Sequence, residues 1–281
     1  MQFGEYEVTT IETGEFRLDG GAMFGVVPKV LWERTNPPDE KNRIAMALRS
    51  LLIRGKGKVI LVDTGIGHKW SDSARDRYGI DHSRHELMKE LEKCAVKPEE
   101  VTDVILTHLH FDHVGGSTGL GKDGKPGLAF PHATYYIQEE NLTHAHAPTE
   151  RDRASFLQET ILPLQQSGKL RAVQGNFAFA PGISAWVTHG HTPGHQLVKL
   201  TSGGKTVLFC GDTIPTSSHI PIPYIAAFDL EPLKVIEEKK MILDAAVKEN
   251  WVLVFAHDPT VAACTVTQAE GKVVRGAVVI F

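Results

Sequence analysis

One segment, residues 107–116 (THLHFDHVGG), constrains this chain more than any other feature. It places four metal-binding side chains within six residues, directly after the apolar run 104–106. His108 and His110 lie two residues apart, so in an extended chain they project in the same direction. Asp112 and His113 are adjacent and share a direction only if the backbone turns, which the two following glycines favour. Such a cluster divides most simply between two metal ions.

The composition sets the broad class of protein. The chain has 281 residues, of which 42% are hydrophobic and 23% charged, enough for one large domain spanning residues 1–281. The net charge of −4 shows no basic excess, so nucleic acid is not an expected partner. Three scattered cysteines are typical of reduced thiols in the cytosol. Because the sequence has neither a secretory leader pattern nor about 18 uninterrupted apolar residues, it predicts a cytoplasmic protein without a membrane partner.

Strand and helix patterns alternate along the whole chain. Strand patterns, many bounded by turn residues, occur at 5–11, 44–54, 58–62, 104–106, 133–137, 171–173, 177–179, 183–187, 197–200, 207–209, 251–255, 264–267 and 273–280. Helical patterns occur at 83–94 with Ser83 as a candidate cap, at 151–164 ending near Pro163, and at 231–248. No long linker divides the chain, so these patterns predict two sheets packed face to face with helices outside.

Several polar residues have an ordinary explanation. The charged cluster at 237–240 is predicted to lie on the solvated surface of the last helix, and the glycine- and lysine-rich residues 119–127 to form an exposed loop. His144 and His146 are predicted at the surface. Asp63 follows a strand and could approach a metal, but fixing the sharp turn at that point is the favoured interpretation.

Three further segments leave an apolar strand and end on a candidate ligand. They contain His189, His191 and His195 after the strand at 183–187, Asp212 after 207–210, and His257 with Asp258 after 252–255. Loops at one edge of a sheet often converge on one site. With the first motif, these segments supply enough ligands for two metals. Spacing alone does not choose among the three histidines of the first segment.

The strings HLHFDHVGG, GHTPGH, LFCGDT and AHD resemble, in order and spacing, the successive metal motifs of the metallo-β-lactamase superfamily. The resemblance covers nearly the whole chain. It implies an α+β fold, a four-layer αββα sandwich of two mixed sheets, with the site at one edge. It further implies that one metal is held by His108, His110 and His195, the other by Asp112, His113 and His257, and that Asp212 bridges them. His191 would then support a ligand or stabilise a turn.

These implied ligands suit two divalent ions, with zinc expected first and manganese, iron or cobalt as alternatives. Two metals about 3.5–4 Å apart also leave room for a bridging hydroxide, which would attack an ester-like carbonyl. Asp112 could in addition move a proton to the leaving group. The predicted catalytic residues are therefore Asp112 and Asp212.

Within that superfamily, the sequence most resembles the branch of acyl-homoserine lactone lactonases and methyl parathion hydrolase. The likeness rests on HLHFDH with Phe111, on residues 19–29 (DGGAMFGVVPK) and on the AHD motif. Pro215 stands where the lactonases carry a tyrosine that assists the substrate carbonyl, and His219 or Tyr224 could replace it. The substrate expected is a small hydrophobic lactone or ester, such as an acyl-homoserine lactone. The predicted binding residues are Met23, Phe24, Phe111, His219 and Tyr224.

The apolar run at 23–32 is broken by Gly25 and Pro28, which argues against a regular helix or a central strand. It could be a buried loop, a pocket wall or the contact of a homodimer. Alternative activities are a glyoxalase-II-like thioesterase, because GDT is shared with that group, a phosphotriesterase, and an iron-dependent persulfide dioxygenase. A binding module without catalysis is disfavoured, because none of the seven ligand positions is lost.

Overall fold

Two seven-stranded β-sheets form the centre of the computed structural model, which describes residues 1–120 and 126–281. The strands are, in chain order, Gln2–Phe3 (β1), Tyr6–Asp19 (β2), Arg43–Gly55 (β3), Lys58–Val62 (β4), Asp103–Ile105 (β5), Thr118–Leu120 (β6), Pro126–Leu128 (β7), Thr134–Gln138 (β8), Leu170–Val173 (β9), Ala178–Ala180 (β10), Ile183–Thr188 (β11), His195–Ser202 (β12), Lys205–Phe209 (β13), Val252–Val254 (β14), Ala263–Ala269 (β15) and Lys272–Val278 (β16).

The sheets are mixed and pack on each other. The first has the order β1-β2-β3-β4-β5-β8-β9 and the second runs from β10 to β16 in sequence order, while β6 and β7 form a separate small ladder. Strands β4, β5, β8 and β9 pair in parallel, as do β13 and β14, and the other pairs are antiparallel. One apolar core joins the facing sides, with Val8, Leu51 and Ile53 from the first sheet and Val198 and Leu200 from the second.

Helices cover both outer faces. The α-helices are Gly20–Phe24 (α1), Lys29–Trp32 (α2), Asp72–Tyr78 (α3), Leu87–Lys93 (α4), Phe111–Val114 (α5), Glu139–His146 (α6), Gln158–Gln166 (α7) and Pro232–Glu249 (α8). Leu91 of α4, Ala145 of α6 and Leu164 of α7 join the core outside the first sheet, and Leu243 of α8 joins the core outside the second. The predicted αββα sandwich is thereby confirmed. Among the described residues no helix is both long and apolar enough to cross a bilayer.

Two predicted helices differ from the structure at their ends. The helix predicted from Ser83 begins at Leu87, because the backbone N–H of Ser83 instead donates to the Asp81 carboxylate at 2.7 Å in a turn. The helix predicted to end near Pro163 runs from Gln158 to Gln166. It therefore begins seven residues later than predicted and continues past Pro163, the sixth of its nine residues, where only the hydrogen bond from the missing N–H to the Glu159 carbonyl is lost.

The apolar run at 23–32 forms two short helices, α1 and α2, rather than one element. Gly25 has a φ of 58°, and Pro28 precedes α2, so the chain turns between them. The inner side chains of Met23, Phe24 and Trp32 are buried, whereas Val26 is 92% exposed. The run is therefore both a core wall and an exposed apolar surface, and a homodimer through that surface stays a prediction. Of the loop predicted at 119–127, residues 121–125 lie outside the described part of the chain.

The charged cluster of α8 is not all solvated, so that prediction is wrong for two of its four residues. Lys239 is fully buried, and its ammonium donates to the carbonyls of Pro221, Ile222 and Tyr224 at 2.9, 3.2 and 2.7 Å. Burial lowers the pKa of Lys239 to about 7. The Glu238 carboxylate accepts from the backbone N–H groups of residues 189 and 190, at 2.7 and 3.1 Å. Helix α8 thus stabilises, through hydrogen bonds, the two segments 189–190 and 221–224 that follow strands of the second sheet.

We predict that Lys239→Met destabilises the protein while Lys240→Met does not, because Lys240 is exposed. A hydrogen bond to a charged group contributes about 1.5–3 kcal/mol, and the variant leaves three carbonyls without their donor. Chemical denaturation of both variants measures the difference in the free energy of unfolding. Equal stability of the two variants would contradict the role of Lys239.

Candidate metal centre

The candidate ligands come from loops that meet at one edge of the sandwich. His108 and His110 follow β5, and α5 carries Asp112 and His113. Because β13 and β14 are parallel, Asp212 and His257 leave the second sheet at the same edge. The structure brings these side chains into two groups whose donor atoms lie within 4.8 Å of one another: His108, His110, His191 and Asp212 in the first cluster, and Asp112, His113 and His257 in the second cluster.

Asp212 lies between the two clusters. Its Oδ2 is 3.4 Å from His191 Nε2 and 3.9 Å from His108 Nε2. Its Oδ1 is 3.0 Å from His257 Nε2 and 3.2 Å from His113 Nε2. One carboxylate therefore turns one oxygen towards each cluster, which is the arrangement a bridging ligand needs.

Hydrogen bonds from Nδ1 select the tautomer of four of the histidines. Their Nδ1–H groups donate to oxygen atoms, at 3.0 Å from His108 to Thr107 Oγ1, 2.8 Å from His113 to Asp63 Oδ2, 2.8 Å from His191 to Asp229 Oδ1, and 2.9 Å from His257 to the Ala47 carbonyl. Each bond leaves the Nε2 lone pair facing the cluster, as in metal sites where a second hydrogen bond orients the imidazole. In His110 it is the Nδ1 that faces the cluster, because this atom lies 3.2 Å from His191 Nε2.

Asp63 organises the first motif without belonging to either cluster. Its backbone is in the left-handed region with φ 57°, which directs the carboxylate back towards β5. There it accepts from the backbone N–H and the hydroxyl of Thr107, at 2.7 and 2.8 Å, as well as from His113. These contacts lie in the segment 107–113 and not in the turn at 63–67, so the Asp63 carboxylate orients Thr107 and His113 where the sequence predicted that it fixes the turn.

His195 lies outside both clusters, so the structure does not bring it together with the other predicted ligands, and its selection as a ligand stays a prediction. Its Nδ1 is 2.9 Å from Thr188 Oγ1, and its Nε2 accepts the backbone N–H of Asp212 at 3.1 Å. Both ring nitrogens are engaged, as are those of His191, which contact Asp229 Oδ1 and His110 Nδ1. His195 is the first residue of β12 and supports Asp212 from behind, whereas His191 lies in the preceding turn and points at the carboxylate. The first cluster therefore contains His191, and His191 and His195 are the two candidates for this ligand position.

The donor set fits cations. His108 Nε2 and Asp212 Oδ1 are buried and have no hydrogen-bond partner among the described residues. His113 Nε2 and His257 Nε2 are 3.1 Å apart although both Nδ1 protons are engaged elsewhere, so two lone pairs face each other unless a cation or a proton lies between them. Burial lowers the pKa of His108 and His110 well below the ordinary value. Burial alone would also lower the pKa of His113, but Asp212, Asp112 and Asp63 raise it well above the ordinary value.

A cavity of about 380 Å³ opens over both clusters. Of the predicted substrate-binding residues, Met23 and Phe111 line it, as does Pro215. His219 does not, because it is fully buried, stacks on Phe24 with ring centroids 4.6 Å apart, and donates from Nε2 to the Met23 carbonyl at 2.8 Å. Phe24 is fully buried, and Tyr224 packs edge-on against it. These three residues support the cavity wall from outside it.

Sequence reasoning missed several residues that line the cavity. They include Tyr78 at the end of α3, Arg151 and Asp152 before α7, and Phe228. The Tyr78 ring packs on Phe111, with centroids 5.3 Å apart. None of these residues belongs to a motif or follows a predicted strand directly, so no local signal distinguished them.

Comparison with known proteins agrees with this geometry. A family model described as the metallo-beta-lactamase superfamily matches residues 49–257, well over half of the chain. The chain belongs to the metallo-beta-lactamase superfamily. An N-acyl homoserine lactonase of Bacillus cereus is 29% identical over 171 residues, which are 60% of this chain and 60% of that protein.

Solved structures agree as well. A probable metal-dependent hydrolase from Staphylococcus aureus is 27% identical, with a TM-score of 0.91 over 100% of this chain and 99% of the other. The dizinc quorum-quenching lactonase AidC is 21% identical, with a TM-score of 0.80 over 100% and 97% of the two chains, a likeness of fold. The family and these relatives confirm the expectation of a metal-dependent hydrolase.

We predict that His191→Ala removes metal from the first cluster, whereas His195→Ala mainly lowers stability. Loss of a residue that only orients a ligand costs about 10–100-fold in metal affinity, and loss of the ligand itself should cost more. Equilibrium dialysis against Zn²⁺, together with thermal melting of each variant, measures both effects. A larger loss of metal affinity in His195→Ala than in His191→Ala would instead identify His195 as the ligand.

Proposed function

We propose that this protein is a dinuclear metal-dependent hydrolase that opens lactone rings, with N-acyl homoserine lactones as the first candidate substrates. The observation that carries the proposal is the Asp212 carboxylate, which turns one oxygen towards each of two His/Asp clusters beneath a mainly apolar cavity. The lactonase named among the relatives supports the substrate class.

In this proposal His108, His110 and His191 would hold one cation, and Asp112, His113 and His257 would hold the other. Asp212 would contribute one carboxylate oxygen to each. Two divalent cations, most simply Zn²⁺, would supply an activated water and polarise the substrate carbonyl. The donor types accept manganese, iron or cobalt as well, so the ligands alone do not select the metal.

Asp112 is the proposed proton carrier. Its carboxylate lines the cavity, with Oδ2 3.5 Å from His257 Nε2, so it reaches both the cluster and the substrate. Water adds its oxygen to the lactone carbonyl carbon, and Asp112 accepts the proton released. The acyl C–O bond of the ring then breaks, and Asp112 passes the proton to the departing alkoxide oxygen. The product is a hydroxy acid.

The cavity walls favour an amphiphilic substrate. Leu18, Met23, Met46 and Phe111 present apolar surface on one part of the wall, and Arg151 and Asp152 present polar groups on another. An acyl chain can bury its apolar area against the first part while the polar part of the substrate meets the second.

The decisive experiment is a substrate panel with defined metals. Purified protein loaded with Zn²⁺, Mn²⁺, Fe²⁺ or Co²⁺ is assayed on acyl-homoserine lactones, aryl esters, thioesters and phosphotriesters. Oxygen consumption with a persulfide is followed in parallel. We expect the highest kcat/KM on lactones and loss of that activity on metal chelation. Faster turnover of a thioester or phosphotriester, or oxygen consumption with the persulfide, would overturn the lactonase proposal.

We also predict that His110→Ala and Asp212→Ala each abolish lactone hydrolysis and lower the bound metal, because each removes a proposed ligand. Asp244→Ala, which removes an exposed carboxylate of α8, is the matched control and should keep wild-type rates. Full activity of a metal-depleted His110→Ala variant would rule out the two-metal mechanism.

A further inference from the structure

Arg49 is a buried arginine that belongs to no motif. It lies in β3, in the first sheet, and its side chain is 4% exposed. We propose that Arg49 is a positioning residue for the second cluster, holding the segment 255–258 so that His257 reaches Asp112 and His113. This inference rests on the proposed dinuclear function. It predicts that binding of a cation at the second cluster depends on Arg49.

The guanidinium of Arg49 spans the His257 segment. Its Nη1 donates to the Phe255 carbonyl at 2.5 Å and its Nη2 donates to the Asp258 carbonyl at 2.9 Å. These two carbonyls lie on either side of His257 along the chain. The Nε of Arg49 donates to Glu12 Oε1 of β2 at 2.6 Å, which fixes the plane of the guanidinium. A planar fork of this kind holds two acceptors at a set spacing.

Backbone pairing adds to the same attachment. The N–H of Arg49 donates to the Ala256 carbonyl and the N–H of Ala47 donates to the His257 carbonyl, both at 3.0 Å. The Ala47 carbonyl accepts from His257 Nδ1 at 2.9 Å. Strand β3 of the first sheet therefore also forms backbone hydrogen bonds with the segment that follows β14 of the second sheet. His257 is carried by β14, but its ring is oriented from the opposite sheet.

The first cluster has separate supports. His108 is oriented by Thr107, and His191 by Asp229, whose carboxylate also accepts the backbone N–H of Ala226 at 3.0 Å. No hydrogen bond among the described residues joins Arg49 to these supports. Loss of the Arg49 fork should therefore loosen His257 selectively and weaken the second cation more than the first.

The test compares Arg49→Met and Arg49→Lys with Arg54→Met. Arg54 is a matched control, because it too lies in β3, pairs with a glutamate of β2 (Glu7, 2.9 Å) and donates to a carbonyl (Cys94, 2.9 Å), but it touches no part of the site. Titration of the metal-free proteins with Zn²⁺ in a calorimeter, and with Co²⁺ followed by absorption, measures both affinities. Thermal melting of each metal-free variant separates affinity from stability.

We expect Arg49→Met to bind the first equivalent of metal as the wild type does and to bind the second about 10–100-fold more weakly, with Arg54→Met unchanged. Arg49→Lys should also weaken the second equivalent, because an ammonium cannot span both carbonyls; it carries the test if Arg49→Met does not fold. If Arg49→Met leaves the second-site affinity unchanged, or weakens both sites equally, the inference about Arg49 is wrong, and the proposed dinuclear function is unaffected. A wild-type protein that binds a single cation would overturn the proposed dinuclear function itself.

Discussion

The buried carboxylate of Asp212 is the constraint on which the site depends. Burial alone would raise its pKa, yet His113 and His257 hold that pKa well below the ordinary value. Removing one partner of such a buried pair typically costs about 3–5 kcal/mol, because the other charge is left uncompensated. The carboxylate therefore has to be met by fixed positive or cation-binding groups on both of its sides. The loops after β5, β11, β13 and β14 meet this demand together, since all four reach one edge.

The same buried charge explains why hydrogen bonds from several different elements orient the candidate ligands. Asp63 after β4, Ala47 of β3 and Asp229 before α8 each accept a hydrogen bond from a different imidazole. Because these supports belong to both sheets, the packing that builds the sandwich also sets the orientation of the rings. Helix α8 adds a further connection, since Glu238 holds the backbone just before His191. Stability and ligand geometry consequently cannot be changed independently near this edge.

What could be predicted from the sequence follows from how local each interaction is. The motif at 107–116, the strands at 44–54 and 58–62, and α8 rest on spacing within a short segment, and the structure contains each of them. His191 and His195 could not be separated, because the choice depends on a turn that directs one ring at Asp212 and the other behind it. Periodicity placed Lys239 in solvent, since it carries no information about a distant loop that folds over the helix.

The cavity wall shows how substrate preference can change within one fold while the metal ligands stay the same. The clusters come from the loops and the short helix that follow the strand ends, whereas much of the wall comes from elements without a candidate ligand, such as α1, α3, the segment before α7 and the loop before α8. Pro215 supplies no phenol, and of the described residues that line the cavity Tyr78 alone carries one. Tyr78 packs on Phe111, the neighbour of the proposed proton carrier Asp112. A substitution at either ring would therefore reshape the wall next to the chemistry while leaving every candidate ligand in place, so substrate preference can change without loss of the metal centre.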